Sequence, residues 1–452
     1  MSALIKLKHG LDIPLAGEAE PVVSRLVKPG TVAVCPSDFK GFAARLLVRE
    51  GDRVLAGSPV MADKKNPDIL LTAPLSGTVR EIVRGEKRKL LAVLITPDEV
   101  QESVDFGRVD PQDTVAVRNL LLKSGLWVSI ISRPYGIVAD PAATPKAIFV
   151  SLFDTAPLAP DAEFCLADKA GAMQTAITAL SKIAKVHLGI CKCQEGGSFA
   201  GFENAEYHVF QGKHPAGNVG VQISHIDHIR KDETVWTVSP LMLAALGTLI
   251  NKGRMDLRRR VAVCGPAAIE PSYIETWPGM PMACLAGNAG TQTDSVRFVS
   301  GDALSGHDAG ADGYLGFFDD QVTLLKEGRE FELFGWARPF RFNQFSADHA
   351  YFNWCLGWLT PKRRYNMDTN LHGGPRAFVM PDSYYAKYLP MDIFPLYLVK
   401  ACLAGDIDKM EQFGIYEVLP EDLALCEFID PSKNCIQAIV SDGIDLMLKE
   451  MA

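Results

Sequence analysis

Over residues 1–105 the apolar positions fall in short runs: Val32–Val34, Arg45–Val48, Ile69–Leu71, Thr78–Val83 and Leu90–Ile95. Turn signals at Gly51-Asp52, Gly57-Ser58-Pro59, Asn66-Pro67 and Ser76-Gly77 separate them. No run has the length of an ordinary helix, so the pattern predicts an all-β unit. Between 106 and 255 the period changes. Ala147–Phe153 is a continuous apolar run of the buried-strand kind. In Lys169–Lys185, Met173, Ile177, Leu180 and Ala184 share one helical face. Lys185–Ile190 then reads as a second strand and Leu241–Ile250 as a second helix. Strand, helix, strand in that order predicts a parallel α/β sheet. From 256 to 330 the pattern returns to β, with Arg260–Cys264 and Val296–Ser300 as strands ending at glycine. The last section, 331–452, opens with crowded aromatic residues and closes with helices over Phe394–Leu403 and Ile436–Leu448. Gly405-Asp406 stops the first of these helices.

Composition narrows the class. Of 452 residues, 48% are hydrophobic and 22% charged, the balance of a globular protein with several domains. The formal net charge of −8 argues against a bulk electrostatic grip on nucleic acid or anionic lipid. The best apolar stretch, Val238–Ile250, has 13 residues and contains Pro240, too short for a membrane span. The N-terminus has no apolar core of signal length before its charges and Pro14, and ten cysteines without a signal suit a reducing cytoplasm. Any work at a membrane then requires a partner that holds the chain there.

Several groupings could carry chemistry. No dinucleotide fingerprint and no P-loop occurs, but Gly196-Gly197-Ser198-Phe199-Ala200-Gly201 after a strand could wrap a phosphate or serve as a plain turn. Cys191 and Cys193 with His225 and His228 offer two thiols and two imidazoles to zinc or iron, although nothing in the sequence joins the pairs. The half-motifs Val48–Val54 and Ala73–Val79 resemble the barrel-sandwich hybrid of biotinyl and lipoyl domains. Lys64 and Lys65 stand between them, where a carrier lysine would be, but Asp63-Lys64-Lys65-Asn66 is neither the biotin nor the lipoyl tripeptide, which predicts an unmodified copy. The basic run Arg254–Arg260 reads as a solvated boundary or a docking patch. Ten aromatic residues between Phe331 and Trp358 read as core, or as an apolar face for a partner.

In order along the chain, Lys8–Gly17, Asp63–Pro67, Ser124–Trp127 with Arg133-Pro134, His214–Gly217, Leu325–Glu330, Glu332–Ala337 and Asp422–Cys426 resemble the NqrA family, a subunit of the Na+-translocating NADH:quinone oxidoreductase, nearly end to end. The resemblance implies a multidomain α+β and α/β protein. Its parts would be a barrel-sandwich hybrid (1–105), a Rossmann-like domain (106–255), a β-grasp domain of the SLBB-like kind (256–330) and a helical C-terminal domain (331–452). It also implies kinship with flavin-bearing subunits of other respiratory complexes. Where those carry a glycine-rich flavin loop, this chain has Ser124–Pro134 with one glycine, and bulky Leu126, Trp127 and Ile130 would block a phosphate. Where they carry a cysteine triplet for an iron–sulfur cluster, only Cys426 and a distant Cys435 remain. The implied protein is a peripheral subunit on the cytoplasmic side of the bacterial inner membrane, part of a translocase that couples electron transfer from NADH to ubiquinone to Na+ export. It would have no catalytic residue, metal or bound cofactor of its own. NADH, FAD, FMN, riboflavin and Fe–S would sit on partner subunits, some of them integral membrane proteins. It would serve the quinone end or hold the membrane subunits, with Trp127 as a stacking wall and Arg133 and Tyr135 as donors to the quinone carbonyls. The alternatives are an independent flavin or NADH oxidoreductase and a biotin- or lipoyl-carrier subunit.

Overall fold

The computed structural model describes residues 4–291, 295–329, 343–347, 363–370 and 382–450. The short apolar runs of the first section form two small antiparallel sheets. One joins Val32–Val34, Leu90–Pro97, Gly77–Arg84 and Arg53–Val54; the other joins Ala44–Leu46, Pro59–Asp63 and Leu70–Thr72. Val60, Met61, Leu71, Val79, Val93 and Ile95 fill the space between them. Lys64 and Lys65 lie exposed at the hairpin tip. Asp63 shapes that tip, its carboxylate accepting from the backbone N–H of Ala43 at 2.8 Å and of Asn66 at 3.1 Å.

The first 26 residues, read as the start of this β unit, pair elsewhere. Leu4–Lys6 runs parallel to Glu206–Gln211 in the seven-stranded sheet, and Glu20–Leu26 runs parallel to Ser272–Thr276 in a six-stranded one. The connecting Lys8–Gly17 motif threads closely between these bodies. Gly17 has a φ of +92°, and a Cβ there would stand 2.2 Å from the carbonyl oxygen of Gly265, a fit open to glycine alone.

The seven-stranded sheet is the α/β body. Its order is Leu4–Lys6, Glu206–Gln211, Lys185–Cys191, Ala147–Ser151, Val235–Thr237, Ile131–Arg133, Ile137–Val138. The first five strands are parallel and the last two antiparallel. Helices Ala170–Leu180 and Pro240–Lys252 pack together on one face, and Val219–Ile226 covers the other through Ile223 and Ile226 against Phe149 and Val235. From Ala147–Ser151 the chain winds outward in one direction, then returns to Val235–Thr237 on the other side. The strand order therefore reverses between these two, and a crevice opens beyond their carboxyl ends.

In the third body Arg259–Cys264 lies between an antiparallel Ser272–Thr276 and a parallel Gln321–Lys326, which pairs on with Val296–Ser300. Helix Met282–Ala289 packs on it through Met282, Leu285 and Ala286. Arg259, expected in a solvated basic run, is 1% exposed and gives Nη1 to the carbonyls of Phe317 and Asp319 at 2.6 and 3.3 Å. The run is corrected to a mixed segment. Arg254 and Arg258 pair with Asp105 and Asp256, while Arg260 gives Nη1 to the Phe164 carbonyl and reaches Asp168.

The C-terminal body is helical: Asp382–Ala386, Pro395–Ala404, Ile407–Phe413, Ala424–Ile429 and Ile436–Glu450 around Leu398, Met410, Leu423, Val440 and Ile444. Gly405 ends one helix and the Asp406 carboxylate caps the next at Lys409 N–H, 3.1 Å away. Of the aromatic residues between Phe331 and Trp358, Phe345 is described, set against Tyr365 and Phe428; the others, with Glu332–Ala337, lie outside the described residues.

A buried ion pair docks this body on the α/β sheet. Arg133 gives Nη1 to Asp422 Oδ2 at 2.9 Å and Nη2 to Glu421 Oε1 at 2.7 Å. Asp422 also accepts from Leu419 N–H at 3.0 Å and from Asn218 Nδ2 at 3.4 Å. Gly220 lets the pair close, since a Cβ there would lie 2.2 Å from Asp422 Oδ2 and 2.5 Å from Arg133 Nη1. Asp422→Ala leaves a buried guanidinium with Glu421 as its one carboxylate partner and is expected to cost about 2–3 kcal/mol of unfolding free energy. Urea unfolding of the full chain measures this, and a loss below about 1 kcal/mol would contradict the docking role.

Candidate functional site: a crevice at the sheet switch point

The crevice beyond Ser151 and Thr237 has a volume of about 410 Å³. Three bodies wall it. The α/β domain supplies Ser151–Asp154, His214, Gly217–Val219 and Thr237–Leu241; the third body supplies Arg260, Asp302, Leu304, Phe318 and Asp320; the helical body supplies Glu421 and Ala424. Apolar side chains of Leu152, Phe153, Val219, Val238 and Leu241 make much of the surface.

Its ionisable groups are mostly acidic. Asp154, Asp302, Asp320 and Glu421 face Arg260 and His214. Burial, then the neighbouring carboxylates of Asp154 and Asp319, push the Asp320 carboxyl up to about 7. Desolvation by the walls likewise raises Asp154. The His214 Nδ1 is 3.2 Å from Thr155 Oγ1, and its backbone N–H donates to Asp12 at 2.9 Å. Its Nε2 is buried with no hydrogen-bond partner among the described residues. Burial holds this imidazole below its usual range.

Among the helix starts that line the crevice, that of Val219–Ile226 has no side-chain cap. Helix Pro240–Lys252 points its N-terminus at the crevice, but its first residue is proline, and Ser239 Oγ already takes the Met242 N–H at 3.3 Å. The turn Gly196–Gly201 lies outside the crevice, and there the Glu163 carboxylate accepts from Ser198 N–H at 2.8 Å. A carboxylate of the protein thus stands where an anion would have to bind.

None of Trp127, Arg133 and Tyr135 lies in the crevice wall. Trp127 is fully buried, edge-on to Trp236 with centroids 5.6 Å apart, and gives Nε1–H to the Ala139 carbonyl at 2.8 Å. Arg133 is spent on Asp422 and Glu421. Tyr135 packs edge-on to Tyr416 at 6.4 Å. In this arrangement Trp127 packs in the core and Arg133 ties two bodies together. His214 opens the His214–Gly217 stretch singled out in the sequence, whereas Asp154, Asp302 and Asp320 are single residues from distant loops that carry no spacing signal.

The thiol and imidazole pairs also stay apart. Cys191 and Cys193 are bonded to each other at the end of their strand, against the expectation of reduced thiols. His225 Nδ1 lies 2.9 Å from the Val221 carbonyl, and His228 Nε2 accepts from Arg230. Among the described residues the one group of three metal-type ligands is a different set, His187, Glu206 and His208.

Comparison with known proteins decides the family. Residues 5–98 match the model of the NqrA N-terminal barrel-sandwich hybrid domain, and residues 112–255 that of the NqrA second alpha/beta domain. The chain is 33% identical to the NqrA subunit of the Na(+)-translocating NADH-quinone reductase of Rhodopirellula baltica, over 99% of both chains. It is 36% identical to that of Shewanella frigidimarina over 99% of this chain and all of the relative. The chain belongs to the NqrA family. It is one component of a multisubunit translocase concerned with sodium transport, NAD, ubiquinone and electron transport, and its partners are the other subunits. A chain of an NAD+-reducing [NiFe]-hydrogenase is similar at 10% identity over 76% of this chain and 62% of its own, with a TM-score of 0.38, too low to carry an argument. No helix among the described residues is long and apolar enough to cross a membrane.

The crevice makes a pH prediction. With the Asp320 carboxyl raised from 3.8 to about 7, the folded chain holds a proton between those values that the unfolded chain releases. Stability therefore falls as pH rises through that window. Asp320→Asn is expected to flatten the fall and to raise the melting temperature at pH 8 relative to the parent. Parallel melting curves at pH 4.5 and pH 8 would show it, and equal slopes for both proteins would refute it.

Proposed function

We propose that this protein is a body without redox groups of its own, stationed on the cytoplasmic side at the quinone end of the complex, and that its switch-point crevice receives the quinone head group. The observation that carries the reading is the acidic crevice lined by apolar side chains. A quinone needs a slot with apolar walls and a few polar groups for its carbonyls, and the lining supplies both, with His214, Ser151 and Thr237 among the polar groups. FMN and NADH bring phosphates, and the lining offers them more carboxylates than cations.

Two further features support it. The thiol of Cys426 is buried in the helical core and pushed up to about 12 by that burial, so it stays protonated where a cluster needs a thiolate. Helix Pro395–Ala404 leaves Tyr397 and Leu403 exposed, with Phe394 beside them at 55% exposure, an apolar patch of the kind that meets partners. The third body, in this reading, is the β-grasp ligand-binding domain of the SLBB-like kind, and the carrier position at Lys64 and Lys65 stays unmodified.

The test has two arms. The isolated chain should be colourless, retain its unmodified mass and show no saturable binding of NADH or FMN. In the assembled complex Ala156→Trp, which narrows the crevice, should raise the KM for ubiquinone severalfold and leave the KM for NADH unchanged. A yellow or brown chain, or an unaltered ubiquinone KM, overturns the proposal.

A further inference from the structure

The group His187, His208 and Glu206 lies outside the crevice, on the neighbouring parallel strands Lys185–Cys191 and Glu206–Gln211. The register places His187 opposite Glu206 and Gly189 opposite His208. Side chains two apart on a strand share a face, so Glu206 and His208 project on the side where His187 projects from its own strand. His187 Nδ1 is 2.9 Å from His208 Nε2 and 3.7 Å from Glu206 Oε2. One ligand atom from each of the three lies within 4.8 Å of the others.

We propose that these three side chains form a binding site for a divalent transition ion of the zinc class. Bonds of zinc to imidazole nitrogen and carboxylate oxygen put neighbouring ligand atoms of a tetrahedron about 3.3 Å apart. The observed 2.9 and 3.7 Å from His187 straddle that spacing, and all three ligand atoms lie within 4.8 Å of one another, so entry of the ion asks the exposed Glu206 and half-buried His208 to close on His187. Two imidazoles and one carboxylate suit zinc and its neighbours over magnesium or calcium, which take oxygen ligands.

The surroundings fix one ligand and leave the others reachable. The His187 ring is 5% exposed and stacks on Phe149 with centroids 4.8 Å apart and planes 15° apart. Phe149 is itself held by Ile223 and Val235 in a buried apolar cluster. His208 is half-buried and the Glu206 side chain 48% exposed, so the ion has a path from solvent and a fourth position open to water. Two competitors must give way. The proton shared between the two imidazole nitrogens leaves to solvent, and the Lys185 ammonium releases Glu206. An exposed lysine–carboxylate pair is a weak rival to a metal bond. Bound, the ion would clip two strands of the α/β sheet together.

The full chain, stripped with chelator, is to be titrated with ZnCl2 by calorimetry and with CoCl2 by visible absorption. One equivalent of Zn2+ should bind, and Co2+ should give the intense d–d bands of tetrahedral coordination. Saturating Zn2+ should also raise the melting temperature. His208→Ala and the exposed Glu206→Gln should each weaken binding at least about tenfold, while the Cys191→Ser/Cys193→Ser double variant should bind as the parent does. Absence of saturable binding in the parent overturns the proposal. So does binding that His208→Ala leaves intact, or that the cysteine variant abolishes.

Discussion

Burial of the Arg133 guanidinium against Asp422 decides how the bodies of this protein sit together. Two opposite charges taken out of water are costly unless geometry and further hydrogen bonds restore what solvent gave. Here Glu421 takes the second nitrogen, Leu419 N–H and Asn218 serve Asp422, and Gly220 vacates the space the pair needs. The pair joins an antiparallel strand of the α/β sheet to the turn before helix Ala424–Ile429. That same turn brings Glu421 and Ala424 into the crevice wall. The shape and charge of the crevice thus follow from a contact made behind it.

The local layers were legible because they are periodic. Lys185–Cys191, Pro240–Lys252 and Val296–Ser300 emerge within a residue or two of where runs and helical faces placed them. Three-residue strands such as Leu4–Lys6 carry no period, and their partners lie some two hundred residues away. Their sheet was therefore out of reach of pattern reasoning. Charge was misjudged for a related reason. Arg259 looks like a surface residue in sequence, because nothing in its neighbourhood announces the carbonyls of Phe317 and Asp319. The family motif Asp422–Cys426 did point at the right turn, but its acid is a structural counter-ion.

The same limit applies to sites. Cys191-Lys192-Cys193 and His225–His228 attracted attention through spacing, yet the sheet sends them to separate surroundings. His187, Glu206 and His208 meet because two parallel strands take one register. A slip of one residue would turn Glu206 and His208 to the opposite face. Strand pairing, which sequence periodicity does not encode, makes and unmakes such clusters.

Topology explains why a crevice exists at all, and chemistry explains what it can hold. Strand order reverses between Ala147–Ser151 and Val235–Thr237, so loops diverge and leave a gap whatever residues they carry. A nucleotide needs that gap furnished with free N–H groups and positive charge. This chain furnishes it with Pro240 at one helix start, where Ser239 is the cap, with an uncapped start at Val219, and with carboxylates from three bodies. Crowded acids repel one another, and the raised Asp320 shows the crevice reducing its own charge by holding protons. A neutral, mostly apolar ligand meets no opposing field there, whereas a phosphorylated one would have to neutralise the walls before it could bind. The charge of the walls thus sets the gap apart from the nucleotide sites such folds often carry, which fold alone would not have suggested.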